Sequence, residues 1–533
     1  MGICCAYLIV IVRLVILQVI ERDFYLSLGD RQYIATITHV PPRAIIYDRY
    51  RTPLVLNRTY PSACIFPKSL HNYAKVMDFL KQHFPHAAQR LQKNQDSSFM
   101  YVQRRLNDEQ QKLIAQSDVD EIYIIDELGR YYPLPHLGSV VGIITIDQEG
   151  ALGLELQYDA QLRGTPSNYI LQRDARNSRH CYFGKTATSK GKEGVELVTT
   201  LDSTLQFVAY EELVNTIEKF NATEGGVIIM DPASGDILAM MTYPDFDPNN
   251  TNNLDVSATK NRIVTETYEF GSVIKVFLAL AALDEGIVTP ETLVDCHNVK
   301  EMTLQGMKLS TWKAHGVIPF AEVISGSNNI GTAQIARKLG FSLYEHYQRC
   351  GFGKCTNIFV GEQAGHVTHP STWSVQSYAS LSYGYEIRAT LLQLACAWCM
   401  IARDGVRVQP RLIIADQSSD KQPQPQAVYR REVIQQLCGI LEKTVQQGTA
   451  HRAKIKGYKI LGKTGSAKLC IDGRYSDERS LYTFAGIVRK NNYQRVIVTY
   501  VKEAKGTKLF ASTVAAPLFE RIAERMLIHE GVL

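Results

Sequence analysis

The sequence lacks a disulfide framework and a recognisable metal site. Its eleven cysteines among 533 residues are an odd number, and their spacing matches no disulfide scaffold. Cys396 and Cys399 lie in an apolar helical stretch without a second Cys-x-x-Cys pair, so we interpret most cysteines as small buried residues. His83 and His86 are spaced for one helical turn, but no carboxylate or further ligand accompanies them.

The excess of basic over acidic residues is also small. The formal net charge is +5, and the basic residues are scattered among acidic ones without a long run, which argues against nucleic-acid binding. No paired carboxylates stand in a cleft-like context, and the stretch 351–354 is too short for a phosphate-binding loop. The hydrophobic fraction of 45% is ordinary for folded protein, and the length predicts more than one domain.

One long hydrophobic run is present, at the N-terminus. Residues 3–12 are apolar without interruption, Arg13 follows, and residues 14–20 continue with only Gln18 polar. A membrane-spanning helix needs about 20 residues, so the whole run suffices if Arg13 extends to the interface. Because the run lacks a basic leader and a small-residue cleavage site, a removed signal peptide is disfavoured. We expect a membrane anchor, and its short length suggests a natural start upstream of Met1.

The chain after this run has the pattern of an irregular, strand-bearing module. Residues 33–38 alternate like a strand and residues 44–48 resume it, and helical patterns follow at 73–84 and 108–115. No catalytic pattern is found here, which favours a spacer or docking element. A composition shift at residues 186–194 predicts a linker at its end.

Beyond the linker the pattern is that of a large globular domain. The predicted elements are a helix, a hairpin, a mixed helical region, further strands and a closing helix, at residues 205–220, 226–242, 272–404, 459–501 and 513–528. Residues 416–426 have the composition of a polar loop. This order favours an antiparallel sheet flanked by helices in one domain.

Ser272 and Lys275 stand three residues apart at the start of an apolar helical stretch. Residues at that spacing share a helix face, so the Lys275 amine can approach the Ser272 hydroxyl. A serine becomes a nucleophile when a base takes its proton, and a lysine can serve if burial or nearby cations keep part of it neutral. The pattern alone is unspecific, because Ser-x-x-Lys also begins at Ser189, Ser257, Ser310 and Ser418.

Two further motifs follow in the same domain. Ser327 and Asn329 stand two apart in a small, polar turn before a predicted helix, and Lys463–Ser466 ends a predicted strand. Alone, the first is typical of a helix cap and the second of a polar strand edge. In this order and spacing, Ser-x-x-Lys, Ser-x-Asn and Lys-Thr-Gly are the signature of serine acyl-transferases of the penicillin-binding protein and β-lactamase group.

The chain resembles class B penicillin-binding proteins over nearly its whole length. Beyond the three motifs, the resemblance includes the stretches at residues 13–20, 43–49, 200–206, 231–240 and 243–249. Three residues depart from the family's pattern. Ala44 and Arg51 stand where the family has glycines, which adopt positive φ without strain, and Leu391 stands where it has a proline.

The resemblance implies an α+β fold with a penicillin-binding/serine β-lactamase-like transpeptidase domain, in which helices flank an antiparallel sheet. It implies a transmembrane anchor at residues 1–22 and a non-catalytic pedestal or dimerisation-like domain at residues 23–190. The transpeptidase domain is expected at residues 191–533.

The resemblance also implies roles for the first two motifs. Ser272 would attack the carbonyl of the penultimate D-Ala of a peptidoglycan stem peptide, with Lys275 as its base, and the terminal D-Ala would leave. Ser327 would relay a proton toward the leaving amine. Asn329 would hold the substrate amide and orient Lys275.

The third motif would bind the donor. Lys463 would supply positive charge, and Thr464, Gly465 and Ser466 would form the substrate-binding strand, with the two hydroxyls on the donor carboxylate. The backbone N–H groups of Ser272 and Ser466 would form the oxyanion hole. No metal or organic cofactor is expected.

The implied function is that of a membrane-anchored serine D,D-transpeptidase that cross-links peptidoglycan in septal cell-wall synthesis and binds β-lactams covalently. The implied partners are stem peptides as D-Ala-D-Ala donors and amine acceptors, a membrane glycan polymerase and division proteins. The implied location is a single pass through the bacterial inner membrane with the catalytic domain on the periplasmic side. Open alternatives are an elongation-type transpeptidase, a β-lactamase or carboxypeptidase, and a non-turnover β-lactam sensor or division scaffold.

Overall fold

The structure is a computed structural model, and it describes residues 2–173, 182–251, 253–304, 307–414 and 426–532. The chain divides into two compact units. The first contains Met1–Ile45, Thr59–Gly129 and Asp159–Glu196, and the second contains Ile46–Arg58, Arg130–Tyr158 and Leu197–Leu533. The second unit therefore takes in two segments from the predicted pedestal, and the contiguous domain boundaries drawn from the sequence stay a prediction.

The first part of the chain alternates short helices and strands. Its helices are Gly2–Val15 (α1), Arg22–Tyr33 (α2), Tyr73–His83 (α3), Pro85–Lys93 (α4), Asp108–Ala115 (α5), Gly138–Val141 (α6), Gly153–Gln157 (α7) and Asp159–Arg163 (α8). Its strands are Ile34–His39 (β1), Ile46–Tyr47 (β2), Pro53–Ile65 (β3), Met100–Gln103 (β4), Tyr123–Tyr131 (β5), Ser167–Arg173 (β6), Tyr182–Ser189 (β7) and Leu197–Val198 (β8).

The second part has longer elements. Its helices are Ser203–Phe220 (α9), Arg262–Thr265 (α10), Lys275–Asp284 (α11), Phe320–Ser325 (α12), Asn329–Leu339 (α13), Ser342–Arg349 (α14), Ser377–Ser382 (α15), Leu391–Ala402 (α16), Arg431–Gln446 (α17) and Ala515–His529 (α18). Its strands are Glu224–Met230 (β9), Ile237–Tyr243 (β10), Leu293–Asp295 (β11), Glu301–Leu304 (β12), Met307–Ser310 (β13), Val317–Pro319 (β14), His366–Val367 (β15), Ile387–Arg388 (β16), Lys459–Ile471 (β17), Arg474–Lys490 (β18) and Tyr493–Lys502 (β19).

The N-terminal apolar run is helical. Helix α1 continues as a π-helix over Ile16–Ile20, so that Gly2–Ile20 is 19 residues long with a mean hydropathy of 2.7, and none of it is buried. By length and composition, this is the one helix among the described residues that could cross a membrane.

The first unit has its own small core. The apolar faces of α3, α4 and α5 pack together with residues of β3 and β4, which pair antiparallel. The predicted helices at 73–84 and 108–115 are confirmed as α3 and α5, and α5 begins with a capping box between Asn107 and Gln110. The predicted linker at 186–194 is wrong in its first part, because β7 runs to Ser189 and pairs with β6. Threonines at 186 and 188 are β-branched and favour this strand.

The two glycine replacements differ in their backbone conformation. Arg51 has φ +63°, the left-handed region in which a residue with a Cβ is strained, and its N–H donates to the Asp48 carbonyl in a tight turn. Ala44 does not adopt a positive φ, and its N–H donates to the Leu162 carbonyl at 2.8 Å. The expected strain is therefore confirmed at Arg51 and wrong at Ala44.

A five-stranded antiparallel sheet forms the centre of the second unit, in the order β10-β9-β19-β18-β17. Side chains alternate across it, so Val227 and Ile229 of β9 join a core with α9 and α18. On the opposite face Met230 contacts Cys399 of α16, with the sulfurs 4.0 Å apart. The predicted hairpin and closing helix are confirmed as β9–β10 and α18, and the predicted α+β fold with a flanked antiparallel sheet is confirmed.

The sheet leaves β17 at one edge. The short 3-10 helix Gly271–Val273 and helix α17 both pack against this strand. An edge strand has one unpaired row of backbone N–H and C=O groups, so it can bind an extended ligand. The predicted polar loop at 416–426 lies outside the described residues, except Gln426.

Candidate active site

Ser272 lies in a short 3-10 helix, Gly271–Val273, which leads directly into α11. Every residue of α11 up to Leu283 is buried, because its sequence is apolar on all sides, whereas Ser272 is half-buried. The N-terminal end of a helix carries partial positive charge from its unpaired N–H groups. The Ser272 side chain is thus partly exposed to solvent at the N-terminal end of a buried helix. This position favours a negative charge that develops during the reaction.

Two glycines allow this turn to lie against β17. A Cβ on Gly465 would be 2.2 Å from the Phe270 carbonyl oxygen, and a Cβ on Gly271 would be 2.8 Å from the Ser466 carbonyl oxygen. Gly271 also has φ +57°. Backbone therefore meets backbone between the nucleophile turn and the Lys-Thr-Gly strand, which explains the glycine of that motif.

Lys275 is completely buried, and its amine is held by the second motif. Nζ donates to the Ser327 carbonyl at 2.9 Å, to Ser327 Oγ at 3.2 Å and to Asn329 Oδ1 at 2.5 Å. Burial, and then the charge of Lys463, lower the pKa of Lys275 well below its ordinary value. Within the described residues, this amine bonds to the Ser327–Asn329 turn and makes no hydrogen bond to Ser272.

The second motif is a tight turn between α12 and α13. Ser327 has φ +56°, and Asn328 caps α13 by accepting from the Gly331 N–H at 2.9 Å. Asn329 is the first helical residue, and its Nδ2 donates to the Ser310 carbonyl at 2.6 Å. The cap fixes the turn, so the Ser327 hydroxyl and the Asn329 amide oxygen both face the Lys275 amine.

Lys463 approaches the same hydroxyl from β17. Its Nζ donates to Ser327 Oγ at 3.1 Å and to the Thr464 carbonyl at 3.1 Å, and its side chain is completely buried. Burial lowers the pKa of Lys463 to about 7. Ser327 therefore bridges two buried amines, and burial lowers the pKa of both.

Thr464 and Ser466 lie in the middle of β17, and both line the cavity beside Ser272. Thr464 Oγ1 is 3.1 Å from Thr449 Oγ1, and Ser466 Oγ accepts from the Ala511 N–H at 3.1 Å. Both hydroxyls keep capacity for a further hydrogen bond, because an oxygen of this kind donates once and accepts twice. They are placed to bind an anionic group beside Ser272.

These groups surround one cavity of about 770 Å³, which is large enough for a peptide segment. Ser272, Ser327, Asn329, Thr464 and Ser466 line it directly. Lys275 and Lys463 lie behind the cavity wall and hydrogen-bond to Ser327, which lines the cavity. Gly465 packs against the nucleophile turn. The structure thus brings all eight sequence-predicted site residues together.

Three other residues of the cavity wall belong to none of the three sequence motifs. Thr449 follows α17, Phe510 follows β19, and Trp312 lies in the loop after β13, where its Nε1 donates to the Gly326 carbonyl at 2.7 Å. The two aromatic side chains are more than half exposed, at 58% for Trp312 and 54% for Phe510. All three come from irregular segments, so no periodicity in the sequence marks them.

Two family models match the chain. The penicillin binding protein transpeptidase domain matches residues 225–524, which is more than half of the chain, and the penicillin-binding protein dimerisation domain matches residues 38–199. The chain belongs to the penicillin-binding protein family. The pairing of these two domains confirms the predicted resemblance to class B penicillin-binding proteins.

This penicillin-binding protein is similar to curated relatives over almost its full length. It is 29% identical to the probable peptidoglycan D,D-transpeptidase PbpC of Pseudomonas aeruginosa, over 96% of this chain and 90% of the relative. It is 27% identical to the peptidoglycan D,D-transpeptidase FtsI of Escherichia coli, over 96% of this chain and 87% of the relative. Among solved structures, penicillin-binding protein 3 of Mycobacterium tuberculosis, complexed with aztreonam, superposes with a TM-score of 0.69 at 26% identity, over 93% of this chain and 98% of that one.

Proposed function

We propose that this penicillin-binding protein is a membrane-anchored serine D,D-transpeptidase that cross-links peptidoglycan stem peptides in septal cell-wall synthesis. The observation that carries the proposal is the hydrogen-bonded chain from Lys275 through Ser327 to Lys463. Ser272 lies beside it, at the N-terminal end of the buried helix α11. The names of the relatives support the reaction class, and the septal role is proposed on the similarity to FtsI.

In the acylation step, Ser272 Oγ attacks the carbonyl carbon of the penultimate D-Ala. A neutral Lys275 amine takes the hydroxyl proton, and burial supports this role because it lowers the pKa of that amine. Ser327, bonded to both lysines, passes a proton to the departing nitrogen of the terminal D-Ala. Asn329 accepts from Lys275 and so fixes the direction in which the amine points.

The negative charge of the tetrahedral intermediate needs donors that are already in place. In our proposal these are the backbone N–H groups of Ser272 and Ser466, and the close contact of their two segments supports it. Removing one such donor typically costs about 3–4 kcal/mol of transition-state stabilisation. Lys463, Thr464 and Ser466 bind the donor carboxylate by charge and by hydroxyl hydrogen bonds.

The second half-reaction transfers the acyl group to an amine of a neighbouring stem. β-Lactams enter the same site, and their acyl-enzyme is a covalent adduct of Ser272. The sequence-predicted roles of the three motifs are part of this proposal.

The Gly2–Ile20 helix supports a single-pass anchor. We assign the catalytic unit to the periplasmic side of the bacterial inner membrane, because its substrate is in the cell wall. A membrane glycan polymerase and division proteins are proposed partners, on the similarity to FtsI.

Fluorescent penicillin tests the nucleophile. Labelling of the full-length protein is expected to disappear in Ser272→Ala, because the acylated oxygen is gone. Ser257→Ala is the matched control, since Ser257 also begins a Ser-x-x-Lys pattern but bonds to Asp255 outside the cavity. Labelling that survives in Ser272→Ala and disappears in Ser257→Ala would reassign the nucleophile.

A D-Ala-D-Ala thioester analogue, offered with a D-amino acid, tests the fate of the acyl group. We expect aminolysis products in addition to hydrolysis. Hydrolysis alone would identify a carboxypeptidase-type enzyme, and labelling without any turnover would identify a β-lactam sensor.

A further inference from the structure

Side chains join the loop after β13 to the Ser-x-Asn turn. Trp312 Nε1 donates to the Gly326 carbonyl at 2.7 Å, and Asn328 Nδ2 donates to His315 Nδ1 at 3.2 Å. The turn is also bonded to the last residue of β13, through Asn329 Nδ2. Both loop residues line the catalytic cavity, and neither belongs to the three motifs or takes part in the acyl-transfer steps above.

Residues 310–315, which we name the brace loop, are themselves held in place. The His315 carbonyl accepts from the Asn298 N–H at 2.7 Å. The carbonyl of the next residue, Gly316, accepts from the Cys296 N–H at 3.0 Å. The end of the brace loop is therefore bonded to a neighbouring backbone segment, which gives the His315 ring a defined position beside the turn.

The contact between Asn328 and His315 has one possible direction. Asn328 Oδ1 accepts from the Gly331 N–H at 2.9 Å, so its Nδ2 group faces His315. The Nδ2 group has only hydrogens to donate, and His315 Nδ1 must therefore offer its lone pair, with the ring proton on Nε2. Exchange of the amide oxygen and nitrogen would break the α13 cap. His315 is thus the acceptor that the second polar group of Asn328 requires.

Ser327 depends on the groups that hold its two neighbours. Its φ of +56° is unfavourable for a residue with a Cβ and persists only where surrounding contacts enforce it. On the α12 side, the N–H groups of Ser327 and Asn328 donate to the Ile324 and Val323 carbonyls at 3.1 and 2.9 Å. The brace loop adds a side-chain bond at each residue that flanks Ser327, at Gly326 and at Asn328.

We propose that His315 is a positioning residue for the proton relay of this site. By accepting from Asn328, its Nδ1 holds the turn so that Ser327 Oγ stays between the Lys275 and Lys463 amines, at 3.2 and 3.1 Å. The other side-chain contact of the brace loop supports the same turn. This inference rests on the proposed transpeptidase function and extends its proton relay to a residue outside the three motifs.

The role of Ser327 determines which acyl donors depend on His315. When an amide or a β-lactam acylates Ser272, the C–N bond breaks and the nitrogen must gain a proton, which Ser327 passes to it. When a thioester acylates Ser272, the C–S bond breaks and the sulfur leaves as a thiolate, which needs no proton because a thiol has a pKa of only about 8.5. A misplaced Ser327 hydroxyl should therefore slow the first reaction far more than the second.

Two substitutions of His315 in the full-length protein test this dependence. Leucine removes the acceptor, whereas the Oδ1 of asparagine can take the place of Nδ1 and keep it. We expect His315→Leu to lower the rate constant for acylation by a penicillin about ten- to a hundredfold, as for other misplaced catalytic groups. The kcat/KM for thiol release from a D-Ala-D-Ala thioester analogue should stay close to that of wild type. His315→Asn should recover most of the penicillin rate.

Two further variants serve as control and as second test. His451 also lines the cavity but lies outside the brace loop, so His451→Leu should leave the ratio of the penicillin rate to the thioester rate as in wild type. Trp312→Phe removes only the Nε1–H donor to Gly326 and should lower that ratio. Because the Trp312 side chain is 58% exposed, this variant carries the test if His315→Leu does not fold.

The ratio of the two rates distinguishes positioning from a merely structural role. An unchanged ratio in His315→Leu, or a His315→Asn variant as impaired as His315→Leu, overturns the proposal. If only Trp312→Phe folds, an unchanged ratio in that variant overturns it. A wild-type protein that is labelled by penicillin but releases no thiol would instead contradict the transpeptidase function itself.

Discussion

Two completely buried lysine amines share one serine hydroxyl in this site. Lys275 and Lys463 both donate to Ser327 Oγ, and burial lowers the pKa of each. Burying an ammonium group costs several kcal/mol unless other interactions compensate it. Burial of these two amines therefore lowers the stability of the folded state. What it gains is a base whose pKa is lowered, so that its neutral form is easier to reach, next to a second amine whose pKa is lowered to about 7.

The acylation rate is expected to depend on pH as a bell. Lys275 must be neutral to accept a proton, so the rate rises as pH rises through its lowered pKa. Lys463 must be charged to bind the donor carboxylate, so the rate falls as pH rises through about 7. The second-order rate constant for acylation by a penicillin, measured from pH 5 to 9, reports both groups in the free enzyme.

Lys463→Arg separates the two limbs. Arginine stays charged throughout this range, so the falling limb near neutral pH should move beyond pH 9 while the rising limb remains. A falling limb that stays near neutral pH in this variant would mean that another group causes it.

Ser327 has the left-handed backbone conformation, which costs a residue with a Cβ about 1–2 kcal/mol. Ser327→Gly and Ser327→Ala should both lower acylation by about 10²–10⁴-fold, because each removes the bridging hydroxyl. Only the glycine variant relieves the strain, so we expect it to unfold at a higher temperature than the alanine variant. Equal melting temperatures by calorimetry would show that the turn stores no strain, and full activity in either variant would remove Ser327 from the mechanism.

At the scale of elements, the site depends on how closely the nucleophile turn lies against β17. The space between them has no room for a methyl group at Gly465. Gly465→Ala should therefore push the two segments apart, lower the free energy of unfolding by at least about 2 kcal/mol and reduce penicillin acylation.

Gly439→Ala is the matched control. Gly439 is an exposed glycine within α17, and a Cβ there meets nothing within 4 Å. This substitution should raise the free energy of unfolding by about 1 kcal/mol, because alanine favours a helix, and leave acylation unchanged. Denaturant unfolding of both variants measures the contrast, and an unaffected Gly465→Ala would contradict the close packing.

Helix α16 begins with a capping box. Thr390 Oγ1 accepts from the Gln393 N–H at 3.1 Å, and the Gln393 side chain accepts from the Thr390 N–H at 2.9 Å. Leu391, which departs from the family's proline, is the first helical residue, where proline is favoured because its missing N–H has no helical partner. The departure therefore leaves the cap itself intact.

Thr390→Ala should lower the free energy of unfolding by about 1 kcal/mol, since the buried backbone N–H of Gln393 then loses its side-chain acceptor. Thr390→Ser, which keeps the hydroxyl, should recover most of that loss. Chemical denaturation measures both variants, and equal losses would show that the methyl group rather than the cap stabilises this start.

At the scale of the whole molecule, all eight predicted site residues belong to the second compact unit, and the hydrophobic helix belongs to the first. A protein without residues 2–20 should pass from the membrane fraction to the soluble fraction and keep its penicillin-labelling rate, because no residue of that helix is buried. Fractionation followed by labelling checks both points. Loss of labelling in a folded, soluble product would show that the helix supports the site.

The sequence by itself determined the chemistry and much of the fold. The order of the three motifs identifies the acyl-transferase site, and the helical and alternating patterns predict α3, α5, the β9–β10 hairpin and α18 correctly. These features are visible because spacing along one element is a local property, set by a period of 3.6 or 2 residues. The linker prediction at residues 186–194 was wrong in its first part, because it used local composition alone. The pairing of β7 with β6 depends on a partner strand elsewhere in the chain.

Only the tertiary structure decided how the motifs act on one another. The spacing of Ser272 and Lys275 did not reveal that the Lys275 amine bonds to Ser327 on another turn, and the orienting role of Asn329 was implied only by the family resemblance. The lowered pKa values of Lys275 and Lys463 depend on complete burial, and burial is a property of the packed core. Trp312, Thr449 and Phe510 of the cavity wall come from segments far apart in the chain. No spacing within one segment can encode contacts that several segments make together.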